Sequence, residues 1–224
     1  MSIKFDNTQV LNFEGAIRGM RNPLNSWDKS DSVFIRVDFV DTAEEYRIGK
    51  MCGGNFPVIK PNDLALMKKL VKAGSDHRKF MRQILVSVDI TAPLYWWKEF
   101  DTYKVGTVSN SCSTMHKIHD KEFTREDFSL EHLFPGPLEL MDEIIDMLNH
   151  NRMIYLDCKD KVIWWQMIQL LPSSYNQRRT ITLNYEVLYN IYGSRRNHKL
   201  DEWSIGFMEW IESLPYSELI TDRS

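Results

Sequence analysis

The C-terminal segment 178–199 carries residue types that suit an anionic ligand. Its pattern predicts one helix over 180–196, with four positions sharing a face: Asn184, Leu188, Ile191 and Arg195. Basic residues flank this helix at both ends: Arg178, Arg179, Arg195, Arg196, His198 and Lys199. Because an arginine fork matches two phosphate oxygens, the segment predicts a site for an anion such as a nucleotide. The alternative is a set of cations that complement the dipole of their own helix.

A second candidate is the hydroxyl-rich loop after the aromatic and charged stretch 95–104. It crowds short polar side chains together: Asn110, Ser111, Cys112, Ser113 and Thr114. Such a loop can present hydroxyl and backbone N–H groups to a phosphate, although it fits an ordinary turn equally well. Cys112 would be a nucleophile if His116 or His119 supplied a base, but a lone cysteine is more often a small packing residue.

Histidines and tryptophans complete the chemically notable residues. His116 and His119 are three residues apart, and Asp120 or His132 would add a ligand, but the spacing is loose and we predict no metal. The pairs Trp96-Trp97 and Trp164-Trp165 are predicted to be core or interface residues rather than platforms for bases.

The elements that must position these residues follow from hydrophobic periodicity. Strands are predicted at 10–15, 32–40 and 81–91, and a turn at Gly53-Gly54. Helices are predicted over 62–74, 93–104, 137–149, 161–171, 180–196 and 200–214, with a loop over 105–135. The first helix is expected to be capped by Asn62 or Asp63 and to end at Gly74. The fold class is therefore α+β, an antiparallel sheet with packed helices and an α-rich C-terminal half, in one domain over 1–224.

Composition limits the class of protein. The 224 residues are 43% apolar and 26% charged, which allows a substantial core. A formal net charge of -3 predicts no general attraction to nucleic acid or membranes. Three widely spaced cysteines fit a reducing compartment, and no signal peptide or membrane span is recognisable. We therefore expect a cytoplasmic protein.

The order of several motifs resembles that of the flavin-dependent thymidylate synthases, the ThyX family. NDLALMKKLVKAG precedes the histidine-containing SDHRKFMRQ, and a strand ends in Ala92-Pro93. LLP at 170–172 is then followed at the family's spacing by Asn184, Asn190 and Arg195, and by RRNHKLDEW. The resemblance covers about residues 62–214, whereas residues 1–60 match poorly.

The resemblance implies a homotetramer with FAD and dUMP at subunit interfaces. Such an enzyme methylates dUMP to dTMP with methylenetetrahydrofolate, while NADPH reduces the flavin. By position, the implied FAD-binding residues are His77, Asn184, Asn190 and Lys104. The implied substrate-binding residues are Glu99, Asn110, Ser113, Arg178 and Arg195. Arg195 is also the implied catalytic residue, since a fixed cation at the pyrimidine can stabilise charge that develops on the ring.

The signature of the family, RHRxxSxNxxSxRY, is degenerate in this chain. Its RHR falls on Thr102-Tyr103-Lys104, and no arginine stands where SxRY requires one. Ile168 and Glu186 occupy two further arginine positions, so Arg178, Arg179, Lys104 or Lys117 would have to substitute. The alternative function is a retooled scaffold that binds a nucleotide or flavin without thymidylate synthesis, or modifies another pyrimidine nucleotide. A function as a nucleic-acid-binding module is the hypothesis with the least support.

Overall fold

The computed structural model describes residues 3–223 and divides them into two compact units. Unit 1 comprises residues 3–4, 90–102 and 110–179, and unit 2 comprises residues 5–89, 103–109 and 180–223. The strands are β1 (Lys4–Leu11), β2 (Val33–Arg36), β3 (Asn55–Val58), β4 (Leu85–Pro93), β5 (Val108–Ser111) and β6 (Asn176–Asn184). The helices are α1 (Phe13–Arg21), α2 (Ala43–Met51), α3 (Pro61–Lys72), α4 (Leu94–Phe100), α5 (Thr114–Lys117), α6 (Pro135–Cys158), α7 (Lys161–Leu170), α8 (Tyr185–Arg195), α9 (Met208–Glu212) and α10 (Glu218–Thr221).

Two antiparallel sheets with packed helices confirm the predicted α+β class. The larger sheet has the order β1-β4-β6-β5, and β2 pairs with β3 so that Val33 faces Val58. Strand β4 fulfils its predicted period of two, since Val86, Val88 and Ile90 are buried and alternate with more exposed residues. The prediction of a single domain over 1–224 stays a prediction.

The N-terminal elements differ most from the sequence-based expectations. The strand expected at 10–15 ends at Leu11, because Asn12 takes a left-handed φ of 71° and helix α1 begins at Phe13. The strand expected over 32–40 ends at Arg36 and gives way to a 3-10 turn. Helix α2 was not predicted, although Thr42 and Glu45 form a capping box that the sequence displays. The turn at Gly53-Gly54 is confirmed, with both residues at positive φ.

Helix α3 begins where Pro61 predicts but is capped differently. Its N-cap is Lys60, and the carboxylate of Asp31 accepts the N–H groups of Asn62 and Asp63 at 3.0 and 3.1 Å. The expected cap by the side chain of Asn62 or Asp63 is therefore wrong. Asp63 is instead fully buried and binds the guanidinium of Arg21. Gly74 follows the helix at a φ of +104°, as expected for a stop signal.

The C-terminal half contains a strand where one helix was expected. Residues 176–184 form β6, in which Ile181 and Leu183 are buried and Thr180 and Thr182 are exposed, and only Tyr185–Arg195 is helical. The helix expected over 200–214 is a π-helical turn followed by α9. The helix expected over 137–149 extends to Pro135–Cys158, and α7 ends at Leu170, before Pro172 as predicted. The expected loop 105–135 contains β5 and α5.

The tryptophans divide between core and surface. Trp96 and Trp97 on the short helix α4 are 0% and 1% exposed, which confirms their prediction as core residues. Trp164 packs against the apolar cluster between α6 and α7, but Trp165 is 40% exposed. No helix of residues 3–223 is long and apolar enough to cross a membrane.

Candidate functional site

Unit 2 fixes Arg195 at the C-terminal end of α8. Its Nε atom donates a hydrogen bond of 2.8 Å to the hydroxyl oxygen of Tyr103. Its guanidinium carbon lies 5.0 Å from the ring centroid of Trp203 and 5.6 Å from that of Tyr103. Trp203 is fully buried and Arg195 is partly exposed. Two rings and a hydrogen bond therefore hold a permanent cation in one place.

Asn184 is the N-cap of α8, not a residue within a helix. It is buried, and its Oδ1 accepts the N–H of Val187 at 3.1 Å. Its amide nitrogen makes no hydrogen bond to any residue of 3–223 and so remains a donor for another group. Gly106 lies against this amide, since a Cβ atom at position 106 would be 3.2 Å from Nδ2 of Asn184. The φ of Gly106 is +75°, a conformation that favours glycine.

The other predicted FAD-binding residues of unit 2 are exposed. Asn190 lies on α8 and faces outward, although Leu188 and Ile191 beside it are fully buried. Lys104 lies in the segment that also carries Tyr103. His77 precedes a 3-10 helix, where its N–H donates to the carbonyl of Gly74.

A charge cluster beside α8 was not expected from the sequence. Glu186, which replaces an arginine of the ThyX pattern, is buried and pairs with both Arg78 and Arg82. The Arg78 guanidinium also lies 4.3 Å from the ring centroid of Tyr189. One carboxylate thus meets two guanidinium groups, and Asp76 adds a second negative charge near Arg82. The i, i+4 spacing of Arg78 and Arg82 is visible in the sequence and indicates that they share one face. Their partner Glu186 lies more than 100 residues further along the chain, so the ion pairs could not be predicted.

Unit 1 brings Asn110, Ser113 and Arg178 close together. The N–H of Cys112 donates to the carbonyl of Arg178 at 2.9 Å, which ties the hydroxyl-rich loop to strand β6. Ser113 caps α5, because its Oγ accepts the N–H of His116 at 2.9 Å. The side chains of Asn110, Ser113 and Arg178 are all exposed. The loop therefore presents short polar groups beside the backbone of Arg178.

The neighbouring groups of unit 1 have structural partners. Arg179 donates to Asp101 at 2.7 Å and lies 4.2 Å from the ring centroid of Trp97, so it is a poor substitute for a ligand-binding arginine. Glu99 is half-buried on α4. Within residues 3–223 the thiol of Cys112 makes no hydrogen bond to His116 or His119. The hypothesis that Cys112 is a nucleophile therefore gains no support from a neighbouring base. No three His, Cys, Asp or Glu side chains of these residues are grouped to hold a metal.

The three thiols are expected to differ in reactivity. Burial raises the pKa of Cys52 to about 12, whereas Cys112 and Cys158 are exposed. Because the thiolate is the reactive form, an aromatic disulfide reagent at pH 8 should titrate two thiols quickly and the third much more slowly. Cys112→Ser and the matched variant Cys158→Ser should each leave one fast thiol. Three fast thiols in the native protein would contradict the raised pKa of Cys52.

Comparison with known proteins supports the fold. No protein-family model and no curated protein matches the sequence. A structure of thymidylate synthase X from Helicobacter pylori with FAD and dUMP is 12% identical, with a TM-score of 0.66 over 99% of this chain and 96% of that chain. A second structure of the flavin-dependent enzyme from the same organism, with the same ligands, is 13% identical, with a TM-score of 0.67 over 100% and 98%. The chain therefore has a ThyX-like fold.

Proposed function

We propose that this chain is a flavin-dependent thymidylate synthase-like enzyme that methylates dUMP to dTMP with methylenetetrahydrofolate and reduced FAD. The observation that carries the proposal is the fixed cation of Arg195, held by Tyr103 and Trp203 on the ThyX-like fold. NADPH as the reductant, a homotetramer and a cytoplasmic location belong to the same proposal. In the proposed homotetramer the sites lie at interfaces between copies of the chain, as the resemblance implies. We therefore assign roles to the residues of unit 2 and of unit 1 separately.

The residues of unit 2 fit a flavin cofactor. The unbonded amide nitrogen of Asn184 is a donor for an acceptor on FAD, and the exposed Lys104 offers a cation for its pyrophosphate. Asn190 and His77 are exposed and available for further contacts. When bound, FAD would supply the hydride chemistry, and the protein would supply positioning and electrostatics.

Arg195 is assigned to the pyrimidine of dUMP. A guanidinium that is already held by a hydrogen bond and two rings needs no reorganisation when negative charge develops on the ring oxygen. Tyr103 and Trp203 are then positioning residues, because they act through Arg195.

The hydroxyl-rich loop of unit 1 is assigned to the phosphate of dUMP. Arg178 would supply a charged fork, and Ser113 and Asn110 would supply neutral donors. Ser113 can donate its hydroxyl proton while its oxygen caps α5. Glu99 is assigned to the substrate by position in the signature only.

The first test is the visible absorption spectrum of the purified protein, before and after incubation with FAD and desalting. We expect a flavin spectrum that survives desalting, followed by formation of dTMP from dUMP and methylenetetrahydrofolate. A protein that stays colourless after incubation with FAD would refute the flavoenzyme. Bound FAD without dTMP would instead favour the retooled scaffold.

Asn184→Asp provides a sharper version of the same test. Aspartate is as good an N-cap as asparagine, so α8 should be retained, but the variant loses the amide donor and adds a negative charge. We expect FAD affinity to fall about tenfold or more. Asn62→Asp is the matched control, because Asn62 is exposed on α3 of the same unit. Equal FAD affinity in both variants would remove Asn184 from the cofactor site.

A further inference from the structure

A basic cavity in unit 1 lies outside the residues assigned to dUMP or FAD. It has a volume of about 280 Å³ and lies among α5, the end of α6 and the start of α7. Its notable lining residues are His116, His119, Tyr155, Lys159, Lys161 and Trp164. Four of these are basic or can become so, and two are aromatic, in a protein whose net charge is -3.

The walls of this basic cavity are held in place by the protein itself. The indole N–H of Trp164 donates to the carbonyl of Met115 at 3.0 Å. The rings of His119 and Tyr155 meet edge to face, with centroids 4.8 Å apart. The Nε of Arg152 donates to the carbonyl of His119 at 3.0 Å. A ligand would therefore find a preformed site and would need to order few side chains on binding.

The cations around the basic cavity are balanced in part by one acid, Asp120. Lys117 lies 2.9 Å and His119 3.6 Å from its carboxylate, whose pKa is lowered mainly by the hydrogen bond from Lys117 and further by the charges of His119 and Lys159. Asp160 accepts the N–H of Val162 as the N-cap of α7. Among residues 3–223, Lys161 forms no ion pair.

Two further groups of the basic cavity lack a full complement of partners. The ammonium of Lys159 lies 5.4 Å from the ring centroid of Tyr155, and within the described chain it makes no ion pair. The Nδ1 atom of His119 is buried without a hydrogen-bond partner in that same part of the chain. Because this atom has almost no solvent-accessible surface, it lies within the wall of the basic cavity and not on its open face.

We propose that this basic cavity binds a mononucleotide, with the phosphate at Lys159 and Lys161 and the base against Trp164 and Tyr155. Lysine ammonium groups attract phosphate as point charges. Aromatic side chains stack on any nucleobase, so the proposal fixes a nucleotide but not its base. The volume lies near the lower limit for ligand pockets, which suits a mononucleotide better than a dinucleotide.

The test is a titration of the full chain with AMP, inorganic phosphate and adenosine by calorimetry. We expect AMP to bind more tightly than phosphate or adenosine, since only AMP engages both lysines and rings. The double variant Lys159→Asn, Lys161→Gln should bind AMP about 100-fold more weakly, roughly tenfold for each charge-assisted contact. Asparagine is chosen because position 159 has a φ of 55°, which asparagine tolerates.

Lys98→Gln is the matched control, because Lys98 is exposed on α4 of the same unit. It removes one charge where the double variant removes two, and it should bind AMP as the unaltered chain does. A loss of about tenfold in Lys98→Gln would show that net charge explains the effect. In a ¹H–¹⁵N correlation NMR spectrum of the chain, which has seven tryptophans, the indole N–H signal of Trp164 should shift when AMP is added. The same signal should be absent from the spectrum of Trp164→Phe, which identifies it. Phosphate that binds as tightly as AMP, or a single-stranded RNA that binds where AMP does not, would overturn the proposal. These binding results do not depend on FAD or on dTMP formation.

Discussion

Replacing Asp63 by asparagine is expected to lower the free energy of unfolding by about 3–5 kcal/mol. Asp63 is 0% exposed, and its Oδ1 accepts from the guanidinium of Arg21, itself 4% exposed, at 2.7 Å. Its Oδ2 accepts from the hydroxyls of Ser30 and Ser32 at 2.8 and 2.6 Å. The asparagine variant would leave the Arg21 cation buried without a counter-charge, and urea unfolding at pH 7 measures the loss.

The pH dependence of this contribution has a definite sign. Burial by itself would raise the pKa of Asp63, but hydrogen bonds from Ser32, Ser30 and Arg21 outweigh it and hold the pKa below its usual value. The stabilisation is therefore present above the unfolded pKa of about 3.9 and is lost as the pH falls through the folded pKa. The difference in stability between the native chain and Asp63→Asn should accordingly shrink under acid conditions.

Two controls separate the buried pair from other effects. Asp28→Asn removes an exposed carboxylate from the same region and should change stability by less than about 0.5 kcal/mol. Adding Arg21→Met to Asp63→Asn should recover part of the loss, because no buried charge is then left unpaired. A native-like stability of Asp63→Asn alone would show that the pair does not anchor α1 to α3.

The sequence predicted those elements whose pattern is local. Strand β4 was found because its apolar residues alternate, and helix α7 because a strongly apolar segment ends before Pro172. Residues 180–184 were misassigned because strand β6 runs directly into helix α8 with no intervening loop, although Asn184, a favoured N-cap residue, marks the junction. The role of Asp63 was hidden because its partner Arg21 lies 42 residues away in the chain.

In the candidate site, too, local features were predictable from the sequence and contacts between distant residues were not. The position of Arg195 follows from motif spacing, but its support by Tyr103 joins residues 92 apart. Tyr103 stands where the ThyX signature has a histidine, so comparison by position marks it as a loss. The structure gives it a different role, as the hydrogen-bond acceptor that orients the arginine. The pairing of Glu186 with Arg78 and Arg82 likewise joins residues more than 100 apart, and so it has no local sequence signal.

Replacing Arg195 by lysine is expected to lower kcat/KM for dUMP by about 100-fold or more, the size of effect seen when one transition-state donor is removed. Lysine keeps the charge but loses the planar fork that donates to Tyr103 and lies against Trp203. Arg196→Lys, on the exposed neighbour of Arg195, is the matched control and should leave kcat/KM unchanged. Steady-state rates of dTMP formation give the result, with dUMP affinity measured separately by calorimetry.

Tyr103→Phe tests whether the arginine must be positioned or need only be present. The variant keeps the ring beneath the guanidinium but removes the hydroxyl oxygen that accepts its Nε–H. Loss of one such hydrogen bond corresponds to about a tenfold fall in kcat/KM, between the effects of Arg196→Lys and Arg195→Lys. Because positioning matters most when charge develops on the substrate, kcat should fall more than dUMP affinity. A Tyr103→Phe variant as active as the native chain would assign Arg195 to simple charge attraction, and an active Arg195→Lys variant would remove it from the reaction.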